Sequence, residues 1–289
     1  MTLGLLISAI IDGLAYAMVI YLIAAGLVII FGLMDILNFA HASFFMLSLY
    51  ITITLMSLLN YNFILTVIIV TAMGFLIGAL TELVLMRPLY GKPTAQMLVT
   101  MGLMLIIVQI VVVLWPMGLT FPATTGIFRE TIKVLGYRIY IYRLIVFMVG
   151  IVVFIALEAF LNKTKFGAQI RAGTENRTLA EIYGIDVKKI FTIAFGLGTA
   201  LAFFGGSIVS PWFNASVEAG TSFTLLAFAV IVIGGMKSHK GAFIASLLIG
   251  LVHQLTAYFV TELSFVIDII LMIVVLLVKP EGLFGGEAE

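Results

Sequence analysis

The sequence predicts an all-α integral membrane protein, a polytopic bundle of about eight to ten transmembrane helices forming one domain over residues 1–289. Three observations predict it. Of the 289 residues, 63% are hydrophobic and 10% charged, with a mean hydropathy of +1.26, a balance that no single water-soluble core absorbs. No charged residue occurs from Ala42 to Thr81, a run long enough for two spans. The longest polar interruption, residues 163–189, lies between apolar segments of spanning length. With no cysteine there is no disulfide framework, thiolate nucleophile or cysteine metal site, and a formal charge of +1 gives no reason to expect a nucleic-acid partner.

The first span is expected at about residues 5–34, with Asp12 near its outer end. The start, MTLGLLISAI, has no basic n-region, and its apolar run outlasts a signal peptide, which predicts an uncleaved span. A break follows at 35–41, where Asp35, Asn38 and His41 interrupt the apolar pattern. Two spans then divide at Asn60, Tyr61 and Asn62, and the basic, proline-punctuated turn RPLYGKP closes the third. The fourth span lies at about 94–115. In the polar region 116–143, expected outside the membrane, residues 130–141 alternate weakly and Gly136 suits the turn of a small hairpin. Further spans are expected at about 144–161, 190–210, 221–236, 241–260 and 264–278. That makes nine, with eight or ten left open if the 35–41 break or the short seventh segment is a re-entrant hairpin.

Orientation follows from the basic residues. If 163–189 is cytoplasmic, alternation puts Arg87, Lys92, Lys237, Lys240 and Lys279 on the same side, so eleven of the fifteen Lys and Arg lie inside. Only Arg129, Lys133, Arg138 and Arg143 fall outside, which agrees with the positive-inside rule. The amino terminus is then outside and the carboxyl terminus cytoplasmic. Within 163–189 a helix of about three turns is expected, capped by Thr174 and stopped by Gly184 after Tyr183. Leu179, Ile182 and Tyr183 stand at helical spacing as a small apolar face, with Arg177, Glu181 and lysines around it. Two readings fit that face: a solvated loop, or a docking helix for a cytoplasmic partner.

Small residues recur every four positions at Ala194, Gly198, Ala202, Gly206 and Ser210, and Gly74 and Gly78 form a GxxxG. Such spacing lets helix backbones approach closely, within one bundle or across a subunit interface. Ionisable groups at membrane depth cost roughly 2.5 to 3.5 kcal/mol on insertion scales. Glu82 and Glu158 lie near span ends, where Arg87 and Lys163 are available as partners, and His253 and Asp268 face one another across the last hairpin. The 35–43 break sets Asn38, His41 and Ser43 beside the amino end of a helix starting near Ala42, a place suited to an anionic substrate group or to an ordinary turn. Gln96, Thr100 and Gln109 either line a path or hydrogen-bond between helices. No GxxxxGK[ST], HExxH or GxSxG is present and three scattered histidines make no metal set, so any nucleotide that drives this chain is bound by another subunit.

Four blocks resemble the inner-membrane permeases of branched-chain amino-acid ABC importers, specifically the shorter of their two permease subunits. GLVIIFGLMDILNFAHASFFMLSLY at 26–50 is similar to a glycine-rich span ending in Asn-Phe-Ala-His. RAGTENRTLAEIYGIDV at 171–187 resembles the cytoplasmic coupling segment, with Arg171, Ala172, Ala180, Gly184 and Ile185 in place. AFAVIVIGGMKSHKGAFIASLLIGLV at 227–252 resembles the Gly-Gly block, and KPEGLFG at 279–285 the ending. Two departures stand out: Ala42 where the family usually has Gly, and the more basic Lys237, His239 and Lys240. The resemblance implies the ABC importer permease fold and a multi-pass inner-membrane subunit that is not itself an enzyme. Its implied partners are a second permease subunit, two cytoplasmic ATPases that hold ATP and Mg, and an extracytoplasmic binding protein; this chain would bind no cofactor. It also implies ATPase contacts at Glu175, Leu179, Glu181, Ile182 and Tyr183, with Arg171 and Gly184 fixing the helix ends, and an amino-acid cargo. The alternative is a self-contained secondary transporter or channel with His253 and Asp268 as its relay.

Overall fold

The computed structural model describes residues 3–60, 62–116, 119–121, 126–134, 136–175 and 177–285. Its axis is α1, Leu3–Met34, 32 residues whose stretch from Ala15 to Ile30 is almost wholly buried. At 1.5 Å per residue it is about 48 Å long, well beyond the roughly 30 Å of a hydrocarbon layer. The remaining helices gather around it: α2, His41–Leu58; α3, Phe63–Thr81; α4, Pro93–Leu114; α5, Ile141–Lys163; α6, Lys165–Glu175; α7, Arg177–Ile182; α8, Val187–Val209; α9, Glu218–Gly234; α10, His239–Phe259; and α11, Ser264–Val278. Among the described residues, seven helical segments are long and apolar enough to cross a membrane. Two shorter apolar segments, Glu218–Gly234 and Val266–Val278, occupy the expected seventh and ninth spans.

Apolar side chains gain nothing by leaving lipid for one another, so the helices are held by close fit. A Cβ on Gly26 of α1 would stand 2.3 Å from the Gly198 carbonyl oxygen of α8, and one on Gly250 of α10 would stand 2.5 Å from Ala17 of α1. On α3, Gly74 abuts Phe203 and Gly78 abuts Thr199 of α8, while Gly206 faces Ser48 of α2. The small-residue stripe of the sixth span and the GxxxG of the third are therefore packing within one chain. They leave α4, α5 and α11 with large exposed aliphatic faces, including Leu105, Val113, Ile155 and Leu277.

The expected hairpin is present. β1, Thr131–Val134, pairs antiparallel with β2, Tyr137–Tyr140, in the register Thr131 to Tyr140 and Val134 to Tyr137. Gly136 at the turn has φ +87°, which favours glycine. At the opposite end of the bundle the last residues fold back. The Leu283 and Phe284 amides donate to the Ile233 and Gly234 carbonyls at 2.7 and 3.1 Å, satisfying acceptors that the end of α9 leaves open.

Two expectations change. The segment 163–189 is helical at Lys165–Glu175 and Arg177–Ile182, so helix begins at Lys165, well before the expected cap, Thr174. Its hydroxyl donates to the Arg171 carbonyl inside α6 at 2.7 Å, a back-bond that weakens a helix locally beside Gly173. The α6 cap is Thr164, which accepts from the Gly167 amide at 3.0 Å. The other change concerns the 35–41 break. His41 Nε2 donates to the Ile23 carbonyl at 3.0 Å, and Ile23 lies eleven residues before Met34, about 16 Å back along α1. The chain therefore leaves α1, turns at Asp35 with φ +50°, and climbs back beside it before α2 begins, a re-entrant course rather than a surface turn.

Candidate functional site

The re-entrant segment brings three buried polar side chains together with α4. Irregular backbone at this depth persists only where protein or a water-filled cavity meets its polar groups. Asn38, His41 and Ser43 are each at most 2% exposed. Asn38 Oδ1 accepts from the Ala40 amide at 3.1 Å, and the Phe39 amide donates to Thr100 Oγ1 of α4 at 3.4 Å. Gln96, one turn earlier on α4, donates through Nε2 to the Met86 carbonyl at 3.4 Å. Thr100 thus joins the Asn38 group, whereas Gln96 is buried but serves the α3–α4 turn, and Gln109 is exposed. Asn38 Nδ2, His41 Nδ1 and Ser43 Oγ are buried with no hydrogen-bond partner. Helix α2 starts here at Ala40 without a side-chain cap. Two free donors and an uncapped helix start suit a group rich in acceptor oxygens, whereas the Nδ1 lone pair calls for a donor.

The segment 163–189 hangs from the far end of the bundle by one face. Ala180 is 3% exposed and packs with Ile170, Val187, Ile190 and Phe191 against Ile29 and Leu33 of α1. Leu179, Ile182 and Tyr183 are exposed by 50%, 72% and 83%. Gly184, at φ +79°, ends α7 as expected: its amide donates to the Glu181 carbonyl and that of Ile185 to the Ala180 carbonyl, both at 3.0 Å. Glu181 is exposed, and the side chain of Glu175 lies outside the described residues. Arg171 fixes a different point from the one expected. It sits inside α6, and its Nη1 donates to the Leu161 carbonyl, clamping the α5–α6 corner. Beside it opens a cavity of about 720 Å³. Phe31 and Asp35, Arg171, His239, and Phe284 line it, so each of the four recognised blocks contributes a wall.

Charged groups at depth find partners that spacing did not name. Glu158 pairs with Lys240 at 3.3 Å rather than Lys163, and Lys237 with Asp35 at 2.7 Å. His239 Nε2 lies 3.2 Å from the Tyr21 hydroxyl. The extra basic residues of the 237–240 turn are thus used within the chain. Asp12 pairs with Arg143 and accepts from the Tyr258 hydroxyl at 2.6 Å. His253 and Asp268 do pair, at 2.7 Å, under the stacked ring of Tyr16. Glu82, fully buried, receives Arg87 as expected, and also the hydroxyls of Tyr90 and Thr192. Burial and the Glu82 carboxylate both push the Tyr90 phenol up, which keeps it a donor. Isolated buried charges were the one sequence signal for these clusters; which distant residue answers each was not encoded locally.

Comparison with known proteins follows the same blocks. The family model described as the branched-chain amino acid transport system / permease component matches residues 9–276. A probable branched-chain amino acid transport permease protein LivH of Methanocaldococcus jannaschii is 28% identical over 287 residues, covering 94% of this chain and 90% of the relative. The high-affinity branched-chain amino acid transport system permease protein LivH of Escherichia coli K12 is 28% identical over 281 residues, covering 91% and 90%. The BraD permease protein of the corresponding system of Pseudomonas aeruginosa is 27% identical over 299 residues, covering 96% and 95%. No solved structure matches the chain significantly.

Proposed function

The chain belongs to the family of branched-chain amino acid transport permease components, and from that premise we propose that it is one half of the membrane path of an ATP-driven amino-acid importer. Membership makes it a multi-pass membrane transport subunit. The importer's other parts are a second permease subunit, two cytoplasmic ATPases holding ATP and Mg, and an extracytoplasmic protein that delivers the cargo. The chain performs no catalysis and binds no cofactor. Its amino terminus is outside and its carboxyl terminus cytoplasmic, in keeping with the eleven basic residues on one side. The cargo is a branched-chain or related amino acid.

One observation carries the coupling role: α7 packs one face into the bundle through Ala180 and turns Ile182 and Tyr183 outward. An exposed apolar face on a short helix, rigidly seated on α1 and α8, suits a cleft in an ATPase and passes its movement to the spans as a body. Leu179 and Glu181 border that contact, with Arg171 and Gly184 holding the corners of the segment. Asn38, His41, Ser43 and Thr100, with Gln96 behind them, line the path, where Asn38 Nδ2 and Ser43 Oγ offer hydrogen bonds to the cargo's carboxylate. Leu179→Asp or Ile182→Asp is expected to abolish uptake in the assembled importer while the chain accumulates normally in the membrane. Normal uptake from correctly assembled variants overturns the reading.

The second reading, a self-contained transporter relaying ions through the buried His253–Asp268 pair, would be favoured by gradient-driven uptake into vesicles that hold the purified chain alone.

A further inference from the structure

Glu82 opens a five-residue π-helical turn, Glu82–Met86, at the end of α3. Such turns insert one residue into a helix and cluster where helices do mechanical or chemical work. The carboxylate is completely buried, and two further chain segments, α8 and the α3–α4 turn, meet on it. Thr192 of α8 donates to Oε2 at 2.6 Å, Tyr90 donates to Oε1 from the α3–α4 turn, and Arg87 approaches both oxygens at 3.4 and 3.5 Å. Arg87 Nη2 also donates to Thr192 Oγ1 at 2.7 Å, closing the ring. A buried carboxylate gives little net stability over an apolar residue of the same shape, so its gain lies in fixing one arrangement.

What is fixed is the start of α8 relative to the α3–α4 turn. Helix α8 begins at Val187, three residues beyond Gly184, and its first turns, Val187, Ile190 and Phe191, form the hydrophobic cluster on which Ile170 and Ala180 rest. The Tyr90 ring meets Phe191 edge-on at 5.3 Å. Displacement of α6 and α7 therefore reaches α8 as well as α1 and α5, and the Glu82 ring is a hydrogen-bonded link from α8 to the α3–α4 turn. Beyond it, α4 carries Thr100 to the re-entrant segment.

We propose that Glu82 is the positioning residue that makes the α8 start and the α3–α4 turn move as one body, so that motion of residues 171–184 reaches the path. The proposal rests on the importer reading above. In the assembled importer in proteoliposomes, Glu82→Gln is expected to keep ATP hydrolysis within about twofold and to lower amino acid taken up per ATP by tenfold or more. Spin labels on Lys92→Cys and Lys188→Cys, both exposed in a chain without native cysteine, read the link directly. Their distance stays single through the nucleotide cycle in the otherwise unsubstituted chain and broadens on ATP addition in Glu82→Gln. An unchanged uptake-to-ATP ratio with a single distance overturns the proposal. If Glu82→Gln does not accumulate, the isosteric pair Tyr90→Phe and Thr192→Val decides by the same two readouts. Should the unsubstituted importer show no ATP-dependent uptake, the importer reading fails and this proposal with it; failure confined to the variants counts against Glu82 alone.

Discussion

Replacing Gly26 with Ala adds one methyl group at the tightest point between α1 and α8. That carbon would lie 2.3 Å from the Gly198 carbonyl oxygen and 3.0 Å from the His41 ring. The first distance is about 1 Å inside ordinary contact, and the obstacle is backbone, which has no rotamer to escape into. The two helices must separate by a comparable amount. A gap of that size forfeits a quarter to a half of the dispersion well along the contact, and overpacking of this kind costs about 1–3 kcal/mol. At about 2–4 °C per kcal/mol for larger chains, the melting temperature in detergent is expected to fall by roughly 2–12 °C. The same change at Gly102 on α4, where a Cβ meets nothing within 4 Å, is expected to be neutral or slightly stabilising, since Ala is the better helix former. Differential scanning fluorimetry of both variants reads the contrast. Equal melting temperatures for Gly26→Ala and Gly102→Ala would refute the reasoning that backbone proximity, rather than helix propensity, sets stability here.

Other consequences follow from the polar clusters. Arg143→Leu leaves the Asp12 carboxylate buried without its cation, and the expected loss is about 3–5 kcal/mol; Asp12→Asn added to Arg143→Leu recovers a large part, measured by a double-mutant cycle on melting temperature. Gly282→Val places a side chain 2.6 Å from the Gly235 amide and the Val232 carbonyl oxygen at φ +81°, and limited proteolysis is expected to release the terminal segment that folds on α9. Ser43→Ala, which removes a buried hydroxyl with no partner in the fold, is expected to leave melting unchanged or higher while reducing uptake; unchanged uptake removes Ser43 from the path. The purified chain alone in vesicles is expected to show no uptake under a proton or sodium gradient.

Much of this architecture was legible because a membrane span is a local statement. The apolar runs, the division between spans at Asn60 to Asn62, the Gly136 turn and the Gly184 stop are each decided by residues within a few positions of one another. The His253–Asp268 and Glu82–Arg87 pairs were also legible, since each lies within a short hairpin or turn. What escaped was long-range. Nothing near Lys240 names Glu158, and nothing near Thr192 names Glu82, because two helix faces become neighbours only through the packing of the whole bundle. The early start of α6 at Lys165 escaped for the opposite reason: Thr174 serves equally as a cap or as a back-bonded interior residue, and only the surrounding fold chooses. Asn38 and His41 signalled a break in the spans, but whether the chain turned at the surface or climbed back depended on a bond to Ile23.

The distribution of these contacts has a mechanical consequence. In the middle of the bundle α1, α8 and α10 touch through Gly26, Gly198 and Gly250, contacts of backbone on backbone that tolerate little sliding. The hydrogen-bonded ionic clusters lie elsewhere: Asp12 with Arg143 and Tyr258 at the hairpin end, buried Glu82 binding α8 to the α3–α4 turn, and the more exposed Glu158–Lys240 and Asp35–Lys237 pairs at the end that carries α6 and α7. Ion pairs can exchange partners over an ångström or two at modest cost where water reaches them, whereas interlocked glycine surfaces cannot. Movement imposed at α7 is therefore expected to turn the α1–α8–α10 core, with the α3–α4 turn that Glu82 ties to it, as a unit and to be absorbed where the partly exposed Glu158–Lys240 and Asp35–Lys237 pairs exchange partners. The re-entrant segment, tied to the core by His41 on Ile23 and to α4 by Phe39 on Thr100, is held from both sides by the body that turns, which is how motion imposed at α7 reaches the path.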